Sequence, residues 1–135
     1  MENQTHLPED IIEVAFEVGG FFDGMKLFCL KVTEEGSTLT KSSWLSPEVE
    51  ETKLSYYETT EMLRKIIDLK TENWRKHYNH PGVLDGTQWS FTITYKGENP
   101  VEYGGSNAYP SKWDDLCAIF GYEFLDEIYE EYEHE

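Results

Sequence analysis

The chain has 135 residues, 39% of them hydrophobic and 15% aromatic, and 27 acids against 11 Lys and Arg give a formal net charge of −16. A chain of this length folds as one domain around one core, and 4 Trp, 9 Tyr and 7 Phe supply large side chains to fill it, which excludes a disordered acidic polymer. The acid excess therefore sits on a folded body, and its field repels phosphate backbones, which excludes nucleic-acid binding through a broad basic surface.

Residues 1–8 read as a flexible polar leader ending at Pro8. They carry neither a basic start nor an apolar run, and nowhere do about 18 apolar residues follow one another, so neither a secretory signal nor a membrane span is expected. The expected location is cytoplasmic. Ile11 to Val18 alternates, with Ile12, Val14, Phe16 and Val18 on one side and Glu13 and Glu17 on the other, the pattern of a half-buried strand. Met25 to Val32 is apolar on both faces and reads as a central strand. Glu34 to Ser37 makes a turn into a short third strand within Thr38 to Leu45. Ser46 to Thr52, with Pro47 and three glutamates, reads as a loop, and Lys53 to Tyr57 as a short edge strand.

From Thr59 or Thr60 the period becomes helical: Leu63, Ile66, Ile67, Trp74 and Tyr78 predict a helix over 60–78, stopped by Asn79-His80-Pro81-Gly82. Arg64, Lys65, Lys70, Arg75 and Lys76 place five of the eleven basic residues in thirteen positions of that segment. Trp89, Phe91, Ile93 and Tyr95 alternate with Ser90, Thr92 and Thr94 as a strand, and a Lys96 to Pro100 turn leads to a further strand at Val101 to Gly104. Ser111-Lys112-Trp113-Asp114 has the form of a capping box for a helix whose buried face is Trp113, Leu116, Cys117 and Phe120, with Gly121 as its left-handed stop. Residues 122–135 read as an acidic C-terminal helix or tail. Phe124, Leu125, Ile128, Tyr129 and Tyr132 keep helical spacing there, and Glu123 to Glu135 holds seven acids and no Lys or Arg. The fold expected over 1–135 is a single α+β domain, with an antiparallel sheet of about five strands and two to three helices packed on one face.

Residue types that do chemistry form no recognisable motif. His77 and His80 are three apart without a Cys or carboxylate at zinc spacing, His6 and His134 lie near the termini, and Cys29 and Cys117 sit alone in apolar segments as reduced core residues. No nucleophile elbow, phosphate loop or dinucleotide fingerprint occurs, and the acid pairs Glu9-Asp10, Glu34-Glu35, Glu50-Glu51 and Asp114-Asp115 are spread along the whole chain. No metal, cofactor or catalytic residue is assigned, and the reading leans away from an enzyme.

Two segments have a more distinctive pattern: Asp85-Gly86-Thr87-Gln88-Trp89 before an aromatic strand, and Gly104 to Ser111 between a strand and a helix. The sequence D-G-x-x-W followed by a charged hairpin and G-x-N-x-Y-P is carried by Asp85, Gly86, Trp89, Phe91, Ile93, Gly105, Asn107, Tyr109 and Pro110, with Trp74 and Tyr78 upstream. Over residues 60–120 this resembles a group of small uncharacterised bacterial and phage-borne proteins. The resemblance implies a bacterial accessory protein and brings no activity or catalytic residue with it.

The function expected is therefore a non-enzymatic acidic binding protein, in the manner of immunity or anti-defence proteins that block a basic groove of a partner protein. Glu127, Tyr129, Glu130, Glu131 and Tyr132 are its expected contact residues, the tyrosines as anchors and the acids as partners for Lys or Arg. The alternatives are a small-ligand site or enzyme at the sheet end near Asp85, Gln88, Asn107 and Tyr109, and a structural subunit of a larger assembly.

Overall fold

Residues 11–18 form the strand that their alternation predicts, within β1 (Ile11–Gly20), but a bulge changes which isoleucine reaches the core. The computed structural model describes residues 6–20, 24–80 and 87–122. In it the extra residue between Ile11 and Glu13 turns Ile12 outward, 40% exposed, and leaves Ile11 buried at 1%. Val14, Phe16 and Val18 point inward as expected. β2 (Gly24–Val32) pairs antiparallel with β1, and β3 (Ser37–Ser43) pairs with β2, so β2 is internal as its two apolar faces require.

The strand beyond β3 starts earlier and runs longer than the sequence suggests. Residues 46–54 form β4 (Ser46–Leu54), antiparallel to β3, where a loop and a separate short strand are expected. Eight of its nine residues are exposed, so there is neither an apolar run nor an alternation to announce it, and backbone pairing alone makes it a strand. α1 (Tyr56–Ile67) follows at once. Ser55 Oγ accepts from Glu58 N–H at 3.0 Å and a Glu58 carboxylate oxygen accepts from Ser55 N–H at 2.9 Å, a capping box that starts the helix earlier than Thr59.

α1 also ends earlier, at Ile67, so the predicted helix over 60–78 is corrected. Lys70 adopts a left-handed φ of 55°, Thr71–Asn73 make one 3-10 turn, and the chain runs extended into β5 (His77–Asn79). Trp74 and Tyr78 have helical spacing because both must reach one aromatic cluster, which they do from an extended path: their rings lie 6.3 and 6.0 Å from Trp89. Arg64 and Lys65 are thus on the helix while Lys70, Arg75 and Lys76 follow it, and the five basic residues form no single stripe.

β6 (Thr87–Tyr95) and β7 (Val101–Ser106) complete, among the described residues, a seven-stranded sheet in the order β4-β3-β2-β1-β6-β7-β5. The β5–β7 pairing is parallel, so the sheet is mixed and larger than the antiparallel five strands expected. α1 and α2 (Trp113–Ile119) cover one face. Leu63, Ile66, Trp113, Leu116, Cys117 and Phe120 bury against Val14, Phe16, Phe91 and Ile93. Phe16 sits centrally, its ring 5.4 Å from Phe120, 5.8 Å from Trp113 and 5.9 Å from Phe28; each such side chain contributes about 1.5–3 kcal/mol on burial.

The expected capping box at Ser111 is absent. Trp113 N–H donates to Pro110 O at 3.1 Å, so a turn satisfies it and the helix starts from Lys112 without a side-chain cap. The glycine stop is present: Gly121 has φ +72°, and Gly121 and Tyr122 N–H groups donate to Ala118 O and Cys117 O. No helix among the described residues is long and apolar enough to cross a membrane.

Candidate functional site

Of the residues expected to bind, Glu127, Tyr129, Glu130, Glu131 and Tyr132 of the tail and Asp85 of the sheet end lie outside the described residues. Gln88, Asn107 and Tyr109 do come together, at the corner where β6 begins and β7 leaves the sheet for α2. Asn107 holds a left-handed φ of 59°; its Oδ1 accepts from Thr87 N–H and its own N–H donates to Thr87 O, both at 2.8 Å. Gln88 Nε2 donates to Ser106 Oγ at 2.9 Å, and Tyr109 packs on Trp113 with ring centroids 4.7 Å apart.

The same corner gives a structural reason for Trp89 and for Gly105 and Asn107 of the two patterns, while Asp85 and Gly86 lie outside the described residues. Trp89 Nε1 donates to Ala108 O at 2.9 Å across the space above Gly105. A Cβ on Gly105 would stand 2.6 Å from Trp89 Nε1 and 2.7 Å from Ala108 O, so this approach requires glycine. Trp89, Gly105, Asn107 and Tyr109 therefore interlock, and the described polar groups of Gln88 and Asn107 hold the corner together.

Both cysteine thiols are held above their ordinary range. Burial raises the Cys29 thiol, and Glu13, whose carboxylate accepts from Sγ at 3.7 Å, raises it further; burial with a contribution from Asp114 pushes Cys117 up to about 12. His77 lies on β5, and His80 follows it with its backbone N–H on Ser106 O. Among the described residues no group of three His, Cys, Asp or Glu is placed to hold a metal.

A different surface stands out at the opposite end of the strand order. Seven large hydrophobic side chains are exposed among the described residues, and five of them, Trp44, Leu45, Val49, Tyr56 and Tyr57, lie on β4 or at its ends, between 62% and 72% exposed. Backbone and small groups hold the β3–β4 tip: Trp44 N–H donates to Met25 O at 3.0 Å, Leu45 N–H meets Ser43 Oγ at 3.2 Å, and the Leu45 side chain rests against Gly24. The Trp44 indole is left to solvent. At the far end the Ser55–Glu58 box fixes the first turn of α1 and so fixes where Tyr56 and Tyr57 project. Between the two aromatic ends, along a strand roughly 27 Å long at ordinary rise, stand Glu48, Glu50 and Glu51.

Glu50 pairs in register with Lys41 on the helix-bearing side of the sheet, while Val49 and Glu51 pair with Ser42 and Thr40 on the other side. The ion pairs among the described residues are His6–Glu98 at 3.1 Å and Arg64–Glu61 at 3.9 Å, so the three β4 carboxylates have no ion partner there. Sequence reasoning passed over this strip. Its one visible signal is Trp44-Leu45, a large apolar pair in an otherwise polar stretch that no core stripe claims. Set against family models, curated proteins and solved structures, the chain finds no match, and the candidate site stands on this geometry.

Proposed function

We propose that this protein is a non-enzymatic binding protein that docks a basic protein surface along the outer edge of β4, as an immunity or anti-defence protein blocks a basic groove. The observation that carries this reading is the concentration of exposed Trp44, Leu45, Val49, Tyr56 and Tyr57 around three carboxylates without ion partners among the described residues. Solvent-facing aromatics cost free energy in the isolated protein and serve as anchors when a partner desolvates them. Carboxylates around them steer and select a basic partner. The tail residues Glu127, Tyr129, Glu130, Glu131 and Tyr132 offer the same residue types and form a second arm of the proposal.

Titration of the full chain with a short peptide of alternating Lys and Val tests it. Binding weakens steeply with salt, and in E48Q/E50Q/E51Q it falls about tenfold or more, as expected when three exposed charge contacts are lost. Retention in that variant with loss in Tyr129→Ala/Tyr132→Ala transfers the site to the tail. Binding unchanged in both variants overturns the proposal.

A further inference from the structure

We infer that β4 takes its partner by strand addition: an extended, basic segment of the partner protein pairs its backbone with the outer edge of β4 as an eighth strand. The inference rests on the reading of β4 as the docking surface and adds how the partner is held. Among the described residues β4 is the terminal strand of the order, nine residues long, and its neighbour β3 occupies one side of its backbone. Alternate N–H and C=O groups on the other side point outward along a run long enough for several ladder bonds. An added strand uses those groups directly, and side chains above and below it meet Glu50 on one face and Val49 and Glu51 on the other.

The composition of the strip selects the occupant. Edge strands commonly carry proline and charge to prevent pairing with a like copy, and β4 has Pro47, Glu48, Glu50 and Glu51. Two copies of β4 set antiparallel around Glu50 or Glu51 bring carboxylate against carboxylate, which disfavours a dimer through this edge. The same carboxylates favour a strand that presents Lys or Arg. Read antiparallel to β4, the positions opposite Glu51, Glu50 and Val49 ask in turn for a basic, a basic and an apolar side chain. Trp44 at one end, and Tyr56 and Tyr57 at the other, leave exposed apolar surface near where the added strand enters and leaves.

The test uses the full chain and two short peptides of identical sequence built on Lys-Lys-Val, one of them N-methylated at alternate residues on its pairing edge. Methylation removes ladder donors and keeps every side chain and charge. The unmethylated peptide is expected to bind at least tenfold more tightly, and alternate amides of β4 to exchange with solvent at least tenfold more slowly in its complex. Equal binding of both peptides, with both weakened by E48Q/E50Q/E51Q, overturns strand addition and leaves side-chain docking on β4 standing. Binding of both peptides that the triple variant does not change, or no binding of the unmethylated peptide, overturns the docking reading as well.

Discussion

The sheet has two edges of opposite design. The β5 edge is three residues long, runs parallel to β7, and is stitched down by aromatic packing: Trp74 lies 5.6 Å from Tyr103, the Arg75 guanidinium sits over Tyr78 at 5.6 Å, and the Tyr78 hydroxyl accepts from Arg75 N–H. The β4 edge is nine residues long, with its large apolar side chains in solvent and its acids without ion partners among the described residues. In one sheet, then, aromatic residues close an edge by packing inward and leave another open by projecting outward. An aromatic content of 15% says nothing of this division; the location of each ring does.

The sharpest way to break the comparison is to remove a ring from the closed end. Trp89 is 3% exposed and touches Trp74, Tyr78 and Trp113 while donating to Ala108 O. Trp89→Ala should cost about 3–5 kcal/mol of unfolding free energy, read by urea denaturation, because it leaves a large cavity and an unpaired carbonyl together. A loss under about 1 kcal/mol would show that the corner is not the stable end of the sheet.

Asn107 tests the same corner through hydrogen bonds. Asn107→Ala removes the acceptor of Thr87 N–H and puts an alanine at φ 59°, so the expected cost is about 1–3 kcal/mol. Asn107→Gly keeps the backbone freedom and loses the acceptor alone, and should cost less. Equal losses in the two variants would show that the side-chain bonds, which both lack, and not the left-handed conformation govern the corner.

What could be read in the sequence follows the same division. β1, β2, β6 and α2 are legible because each turns apolar residues toward one core: Val14 and Phe16, Phe28 and Leu30, Phe91 and Ile93, Trp113 and Phe120 are all buried. β4 is illegible because it buries almost nothing, and hydrophobic pattern is the signal by which strands are recognised. β5 is illegible for a different reason. Three residues are too few to show a period, and Trp74 and Tyr78 imitate the helix before them. The corner residues Gln88, Asn107 and Tyr109 were legible as a group, but spacing does not reveal that Asn107 and Gln88 bond to Thr87 and Ser106. The exposed strip on β4 emerges only when Trp44 is seen at the β3–β4 turn, Val49 on β4, and Tyr56 and Tyr57 in the first turn of α1 just beyond it.

The smallest expected effect on stability is at the open edge, and it is the most telling. Trp44 is 69% exposed, its backbone N–H is held by Met25 O, and replacing its indole opens no cavity. Trp44→Ala should therefore change unfolding free energy by no more than about 0.5 kcal/mol, a shift near the limit of a urea titration. The same substitution removes an aromatic anchor from the β4 strip, so it should weaken binding of the Lys-Val peptide while the denaturation midpoint stays where it was. Trp89→Ala reverses that pairing of results, with a large loss of stability and, at temperatures where the variant is folded, an intact β4 surface. A Trp44→Ala variant as destabilised as Trp89→Ala would mean that the indole supports the hairpin, and the two edges would then differ in length but not in role.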